Sequence, residues 1–192
     1  YTFADTTRIF GSVARKTRFP TLTELYSSKG GNRDLQAERS INYTLGVARR
    51  FGQDVTLQLA GFYMDVQDWI SRDGPYTTNL YRNYANVRIY GFEFGAGYKP
   101  LKNLELRADY TFAQARDESQ GAVTDKVIGV PEHKLDAGVS YLFPVVLTKL
   151  DLRGTLVGKR YEQLPTPASP TQAELLTEAY VLLNTRISKV FW

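Results

Sequence analysis

The chain carries one histidine and no cysteine. Thiol nucleophiles, disulfide scaffolds and cysteine-ligated metals are therefore outside its chemistry. A Ser–His–Asp relay would have to run through His133. That residue stands in "VPEHKL", where a loop passes into a strand-like run and a rim position accounts for it. Metal ligation by the protein is short of donors for the same reason. Two other groupings stand out. Carboxylates at Glu93, Glu105, Asp109, Asp136 and Asp151 lie among guanidinium groups at Arg107, Arg153 and Arg186. They read as an ion-paired wall. Cations and rings mix at Arg18, Tyr26, Lys29, Arg33 and Arg39, and again at Trp69, Tyr76, Tyr81 and Arg82. That mixture suits capture of an anionic, ring-bearing ligand. No catalytic residue and no cofactor is assigned.

The elements that carry these residues show themselves by alternation. In "NLELRADYTF", residues 103–112, Leu104, Leu106, Ala108, Tyr110 and Phe112 share one parity, and Glu105, Arg107, Asp109 and Thr111 the other. A strand puts alternate residues on opposite faces. The same pattern recurs and predicts eight strands, over residues 7–16, 40–51, 55–66, 83–98, 104–115, 133–143, 150–161 and 180–191. The chain has 192 residues, with 24 basic against 20 acidic side chains and a net charge of +4. That balance, without a basic run or a Gly-rich phosphate loop, excludes a dedicated nucleic-acid partner. No apolar run is long enough for a transmembrane helix. The start lacks a signal-peptide pattern, and both ends read as cut from a longer protein.

The connections sharpen the class, because short ones ("GQD", "KPLKN", "PVVLTK") alternate with long ones throughout. Transmembrane antiparallel β-barrels of the outer membrane are wired in this way, with tight turns at the periplasmic end and long loops outside. The inward-running strands then finish on Phe51, Tyr98, Phe143 and Phe191, an aromatic girdle at one interface. Apolar faces meet lipid, and the charged faces line a polar lumen. The Gly-rich "SSKGGNR" within residues 18–39 is expected to supply flexibility to a loop that closes over a ligand. The stretch "TPASPTQAELLTEA" reads as a Pro-rich loop with a short helix-like piece. Across the short turns, Tyr98 is expected near Leu104 and Phe143 near Leu150, with Glu93 and Arg107 on one face within ion-pair reach.

Six ordered pieces carry a resemblance: "FPTLTELY" (19–26), "NRDLQAERSINYTLGV" (32–47), "AGFYMDVQDWI" (60–70), "YRNYANVRIYGFEFGAGYKP" (81–100), "LRADYTFAQARD" (106–117) and "PEHKLDAGVSYLF" (131–143). Together they resemble the later part of the barrel of TonB-dependent outer-membrane receptors. The resemblance implies an all-β fold, an arc of about eight strands from a barrel of about 22. It implies that residues 1–192 are a partial barrel domain, with the plug and the closing strands outside it. It also implies residence in the outer membrane of a Gram-negative bacterium and TonB-dependent uptake of a nutrient chelate such as a ferric siderophore or cobalamin. Partners would be outer-membrane lipid, the metal chelate, and the TonB energy-transducing complex acting through the plug. The alternative is a complete eight-stranded barrel with a structural or adhesive role, which the gene on either side of this segment would distinguish.

Overall fold

The strands that the alternation requires form, and they join in one sheet. The computed structural model describes residues 2–3, 6–73, 80–120, 122–165, 170–171 and 173–189. In chain order the elements are β1 (Thr2–Phe3), β2 (Thr7–Arg18), α1 (Leu22–Tyr26), β3 (Glu38–Phe51), β4 (Val55–Asp73), β5 (Leu80–Leu101), β6 (Leu104–Asp117), β7 (His133–Phe143), β8 (Thr148–Val157), β9 (Arg160–Gln163), β10 (Leu175–Thr177) and β11 (Tyr180–Lys189). Nine of the strands pair antiparallel in the order β1-β2-β3-β4-β5-β6-β7-β8-β11. β9 and β10 form a separate hairpin within the β8–β11 connection. Among the described residues the sheet is open, ending at β1 and β11.

Register converts each strand's alternation into two surfaces. One cross-strand row reads Val47, Leu59, Phe94, Tyr110, Leu135, Leu156 and Val181. The row one residue along each strand, on the opposite face, reads Ala48, Gln58, Gly95, Asp109, Asp136, Thr155 and Leu182. The apolar row is open to its surroundings: Leu59 is 48% exposed, Val181 59%, and Leu45 one row away 68%. A sandwich would bury these side chains between its sheets. Here they lie on the outside, as an apolar belt that only a hydrocarbon surrounding satisfies. Phe51, Tyr98 and Phe143 of the girdle are exposed on this face at the short-turn end, and Phe191 lies outside the described residues.

Among the described residues, a buried core lies elsewhere. Val66, Val87 and Val127 are 3%, 2% and 8% exposed, with Met64, Trp69, Ile89, Ala115 and Val130 packed around them. It forms on the inward face at the long-loop end, where residues 122–132 fold back over β4, β5 and β6. Glu118 N–H donates to Asn86 O at 2.9 Å, and Asp117 N–H to Asp125 O at 2.8 Å, which pins the base of that connection.

Several boundaries differ from the sequence reading. β4 and β5 continue well past residues 66 and 83, pairing from Trp69 opposite Tyr84 out to Asp73 opposite Leu80. Trp69, Tyr81 and Arg82, expected on a loop, therefore stand on a protruding strand pair. The ladder outlives the alternation because, beyond the membrane, neither face meets lipid and nothing selects apolar parity. Arg39 likewise belongs to β3 rather than to the loop before it. The predicted strand 150–161 runs instead from Thr148 to Val157, and Arg160 opens the β9 hairpin. The stretch "TPASPTQAELLTEA", expected to hold a short helix-like piece, contains strand β10 among its described residues, and a short helix stands instead at α1.

Candidate functional site

The β2–β3 connection is held by charge. Arg18 donates from Nε and Nη2 to the two carboxylate oxygens of Glu38, both at 2.6 Å, and from Nη1 to Glu24 at 3.1 Å. Glu38 is only 9% exposed, and its Oε1 also accepts the backbone N–H of Ile70 at 2.7 Å. One carboxylate thus ties β2, β3 and β4 together above the belt. Glu24 belongs to a capping box on α1: Thr21 Oγ1 accepts its N–H, and its carboxylate accepts the Thr21 N–H at 2.7 Å. Burial works to raise the Glu24 carboxyl, but the bonds from Thr21 and Arg18 outweigh it and hold the group below its ordinary value.

The glycine-rich middle is a packed turn rather than a free hinge. Gly30 takes a φ of 102°, and its carbonyl accepts the N–H of Tyr81 at 3.0 Å. Asn32 Nδ2 donates to Tyr81 O at 2.9 Å. A Cβ at Gly31 would overlap the backbone of Ser27 and Leu25. Glycine serves close approach here, the second use of a missing side chain besides mobility. Further along, Gln36 N–H donates to Asn83 Oδ1 at 2.8 Å, and Asn83 Nδ2 donates to Gln36 O and Asp68 O. The connection is therefore seated on the protruding part of β5.

Of the ring-and-cation set, Arg33 lies over the Tyr26 ring at 5.2 Å and Arg72 over the Tyr81 ring at 4.7 Å. Lys29 and Arg33 are exposed at the tip of the connection. Trp69 packs against the Val66–Val87–Val127 core. It follows Asp68, whose φ of 59° breaks the strand's alternation. Arg82 stands opposite Ser71. Arg39 has the parity of Ile41 and Tyr43, so it belongs to the outward face and is separated from the others. Tyr76 lies outside the described residues.

The inward wall gathers all eight residues of the charged set. Glu93, Glu105, Arg107 and Asp109 line one groove, and Asp136, Asp151, Arg153 and Arg186 continue it over β7, β8 and β11. The ion pairs formed run mainly along strands. Arg107 meets Glu105 at 2.5 Å, Lys134 meets Asp136 at 3.1 Å and Lys149 meets Asp151 at 2.9 Å. Ser140 donates to Asp151 across the β7–β8 pair. Glu93 and Arg107 share the face as expected, but Glu93 stands opposite Thr111 and Arg107 opposite Gly97. They are two rows apart, about 13 Å along the strand direction, and form no pair. Leu101 stands opposite Leu104 across the turn at residues 102–103, and a one-residue shift between Tyr98 and Leu101 then brings Tyr98 opposite Leu106 rather than Leu104. Phe143 meets Thr148, with Leu150 one row off.

Sequence reasoning passed over Glu24, Glu38, Asn32 and Asn83. "TLTE" is a readable capping-box signature for Glu24; the others are defined only by partners 15 to 49 residues away. A further fastening was also unread. Lys126 meets Glu174 at 2.8 Å and lies over the Tyr161 ring at 4.8 Å, and Gly129 N–H donates to Tyr161 O. These contacts join the connection 118–132 to the β9–β10 hairpin. Glu174 and then Tyr161 raise the Lys126 ammonium above its ordinary value.

Comparison with known proteins places this geometry. The chain is 28% identical over 153 residues to the iron-regulated outer membrane virulence protein of Vibrio cholerae, a match covering 68% of this chain and 24% of that protein. Among solved structures it superposes on the ferric yersiniabactin uptake receptor FyuA from Yersinia pestis with a TM-score of 0.68 at 22% identity, covering 97% of this chain and 28% of that one. The ferric enterobactin receptor PfeA from Pseudomonas aeruginosa gives 0.71 at 17% identity, covering 96% and 31%. The copper transporter OprC gives 0.72 at 18% identity, covering 96% and 29%. The chain thus spans less than a third of each of these relatives, and the structural likenesses establish the fold. The family described as TonB dependent receptor-like, beta-barrel, matches residues 1–192. An arc of antiparallel strands with an apolar outside, a charged inside and long connections at one end is a segment of such a barrel: the chain belongs to the TonB-dependent receptor β-barrel family.

Proposed function

We propose that this chain forms part of the wall of an outer-membrane receptor that takes up a metal chelate, a ferric siderophore before cobalamin, with energy from the TonB complex acting on a plug inside the barrel. The observation that carries the reading is the two-sided arc itself: an exposed apolar belt outside and a charged groove inside, in a chain matched over its whole length by the receptor family. Iron is favoured as the chelated metal because the Vibrio cholerae relative is named as iron-regulated. A small closed barrel is disfavoured because the nine-stranded sheet is an open arc among the described residues and pairs β1 with β2 only, not with β11.

The ring-and-cation groups of the protruding β2–β3 and β4–β5 connections provide the outer capture surface. Lys29, Arg33 and Tyr26 offer cations beside a ring, and the Gly30 and Asn32 contacts bring Tyr81, which Arg82 follows in the chain, up to them. Arg18 is a fastener of this surface and Trp69 a support for it. The lumen set, from Glu93 to Arg186, provides the polar wall past which a hydrated cargo moves. Uptake of radiolabelled iron as a siderophore complex, in cells lacking the gene and in cells carrying it back, tests the proposal. Uptake should fall to the level of a strain without TonB and return with the gene. Unchanged iron uptake with loss of cobalamin uptake would move the assignment to the second cargo.

A further inference from the structure

On the outward face, one cross-strand row breaks the apolar belt's chemistry. Arg15, Ile41, Asp65, Arg88 and Arg116 stand opposite one another across β2, β3, β4, β5 and β6. Arg39 follows one row further out, opposite Gln67. The row below reads Val13, Tyr43, Tyr63, Tyr90 and Gln114, and the belt continues from there. Successive same-face rows are about 7 Å apart along a strand. Arginines therefore crown the hydrocarbon-facing surface at its long-loop edge, directly above a tyrosine row. Arg88 bridges the two, with its guanidinium over the Tyr63 ring at 5.6 Å and an ion pair to Glu118 at 2.5 Å. Arg15, Arg39 and Arg116 are exposed, and none of them makes an ion pair or side-chain hydrogen bond among the described residues. Four cations stand against two carboxylates, Asp65 and Glu118. None of these arginines points to the lumen, so cargo does not account for them.

We propose that this outward arginine row binds the phosphate-bearing headgroup of a lipid in the leaflet on the long-loop side, its acyl chains lying against the belt below. The inference rests on the barrel reading. A guanidinium presents a planar fork that pairs bidentately with phosphate. Arg15 and Arg116 lie four strands apart, about 19 Å, so the row suits an amphiphile with more than one phosphate. The occupant is a lipid rather than a free anion because the cations are continuous with the apolar belt, which only acyl chains cover.

The test uses the full-length receptor that contains this chain, purified in a non-ionic detergent, with bound diphosphoryl lipid A counted by native mass spectrometry. The triple variant Arg15→Gln/Arg39→Gln/Arg116→Gln should bind at least tenfold more weakly. The triple change to Lys, which keeps charge but loses the fork, should fall between. Arg49→Gln/Lys102→Gln, at the short-turn end with Arg49 on the outward face, should bind as the unmodified receptor does. Heat-modifiable migration on gels reports the barrel fold separately, so loss of lipid and loss of the barrel are distinguishable. Undiminished binding by the Gln triple variant would overturn the proposal, as would equal loss in the short-turn variant. Displacement of the lipid by millimolar inorganic phosphate would reassign the row to a free anion. If the Gln variant does not fold, the Lys variant decides: binding equal to the unmodified receptor overturns the role of the fork.

Discussion

Arg18 shows how a residue suited to a ligand is taken up by structure. Its guanidinium faces two carboxylates, one of them nearly buried. Replacing Arg18 with Ala leaves the nearly buried Glu38 side chain, among the described residues, with the Ile70 N–H as its remaining partner. Hydrogen bonds to charged groups contribute about 1.5–3 kcal/mol, and the lower figure applies because the Arg18 side chain is 43% exposed. The expected outcome is faster hydrogen exchange over residues 19–37 and at Ile70, with the belt strands unchanged. Glu24 adds a pH dependence. Its carboxyl is held below 4.5 in the folded state, so its contribution is fully present above that value and is lost as pH falls through the depressed pKa. Exchange of α1 should accelerate only when pH drops below 4.5. Acceleration beginning near neutrality would place the sensitive group elsewhere.

At the scale of the element, parity is the testable quantity. Leu45 lies on the outward face and is 68% exposed, whereas Thr44 beside it faces the lumen. Arg at position 45 should cost about 2–4 kcal/mol where the bilayer is thickest, and Arg at position 44 should be tolerated. Folding yield into lipid vesicles compares the two directly. Equal losses would mean that the faces are misassigned. The protruding part of β4 and β5 obeys different rules. Its ladder is held by Asn83, Asn32 and the Arg72–Tyr81 contact rather than by lipid.

For the whole molecule, the seating of the β2–β3 connection on β5 changes how a capture role is best tested. Deleting residues 27–33 removes the Gly30 and Asn32 contacts to Tyr81 and so disturbs β5 as well as the surface. The double change Lys29→Gln/Arg33→Gln leaves those backbone bonds in place. It should weaken uptake of an anionic ferric chelate at least tenfold at normal surface expression, since each lost charge-assisted bond is worth roughly 1.5–3 kcal/mol and about 1.4 kcal/mol is a factor of ten. Growth with the chelate as sole iron source checks this. Undiminished growth would shift capture towards Tyr81 and Arg82.

Alternation made the belt strands, their faces and the side on which the long connections lie legible from residues alone, because lipid selects one parity and a polar lumen the other. The inward positions of Glu93, Arg107, Asp136 and Arg186 followed from the same rule. Where that selection lapses, sequence lost its hold. Trp69, Tyr81 and Arg82 stand on strands because backbone pairing continues in water without a hydrophobic signature. Gly30 is held because Tyr81, some 50 positions later, donates its N–H to the Gly30 carbonyl, and Gly31 because the backbone of Ser27 and Leu25 fills the place of a side chain. Register, and with it the separation of Glu93 from Arg107, depended on the turn at residues 102–103 together with the one-residue shift between Tyr98 and Leu101, since parity survives a shift of two residues while every ion pair changes. The arginine crown is the clearest case. Arg15, Arg88 and Arg116 are scattered through the chain, and only pairing across five strands sets them in one row.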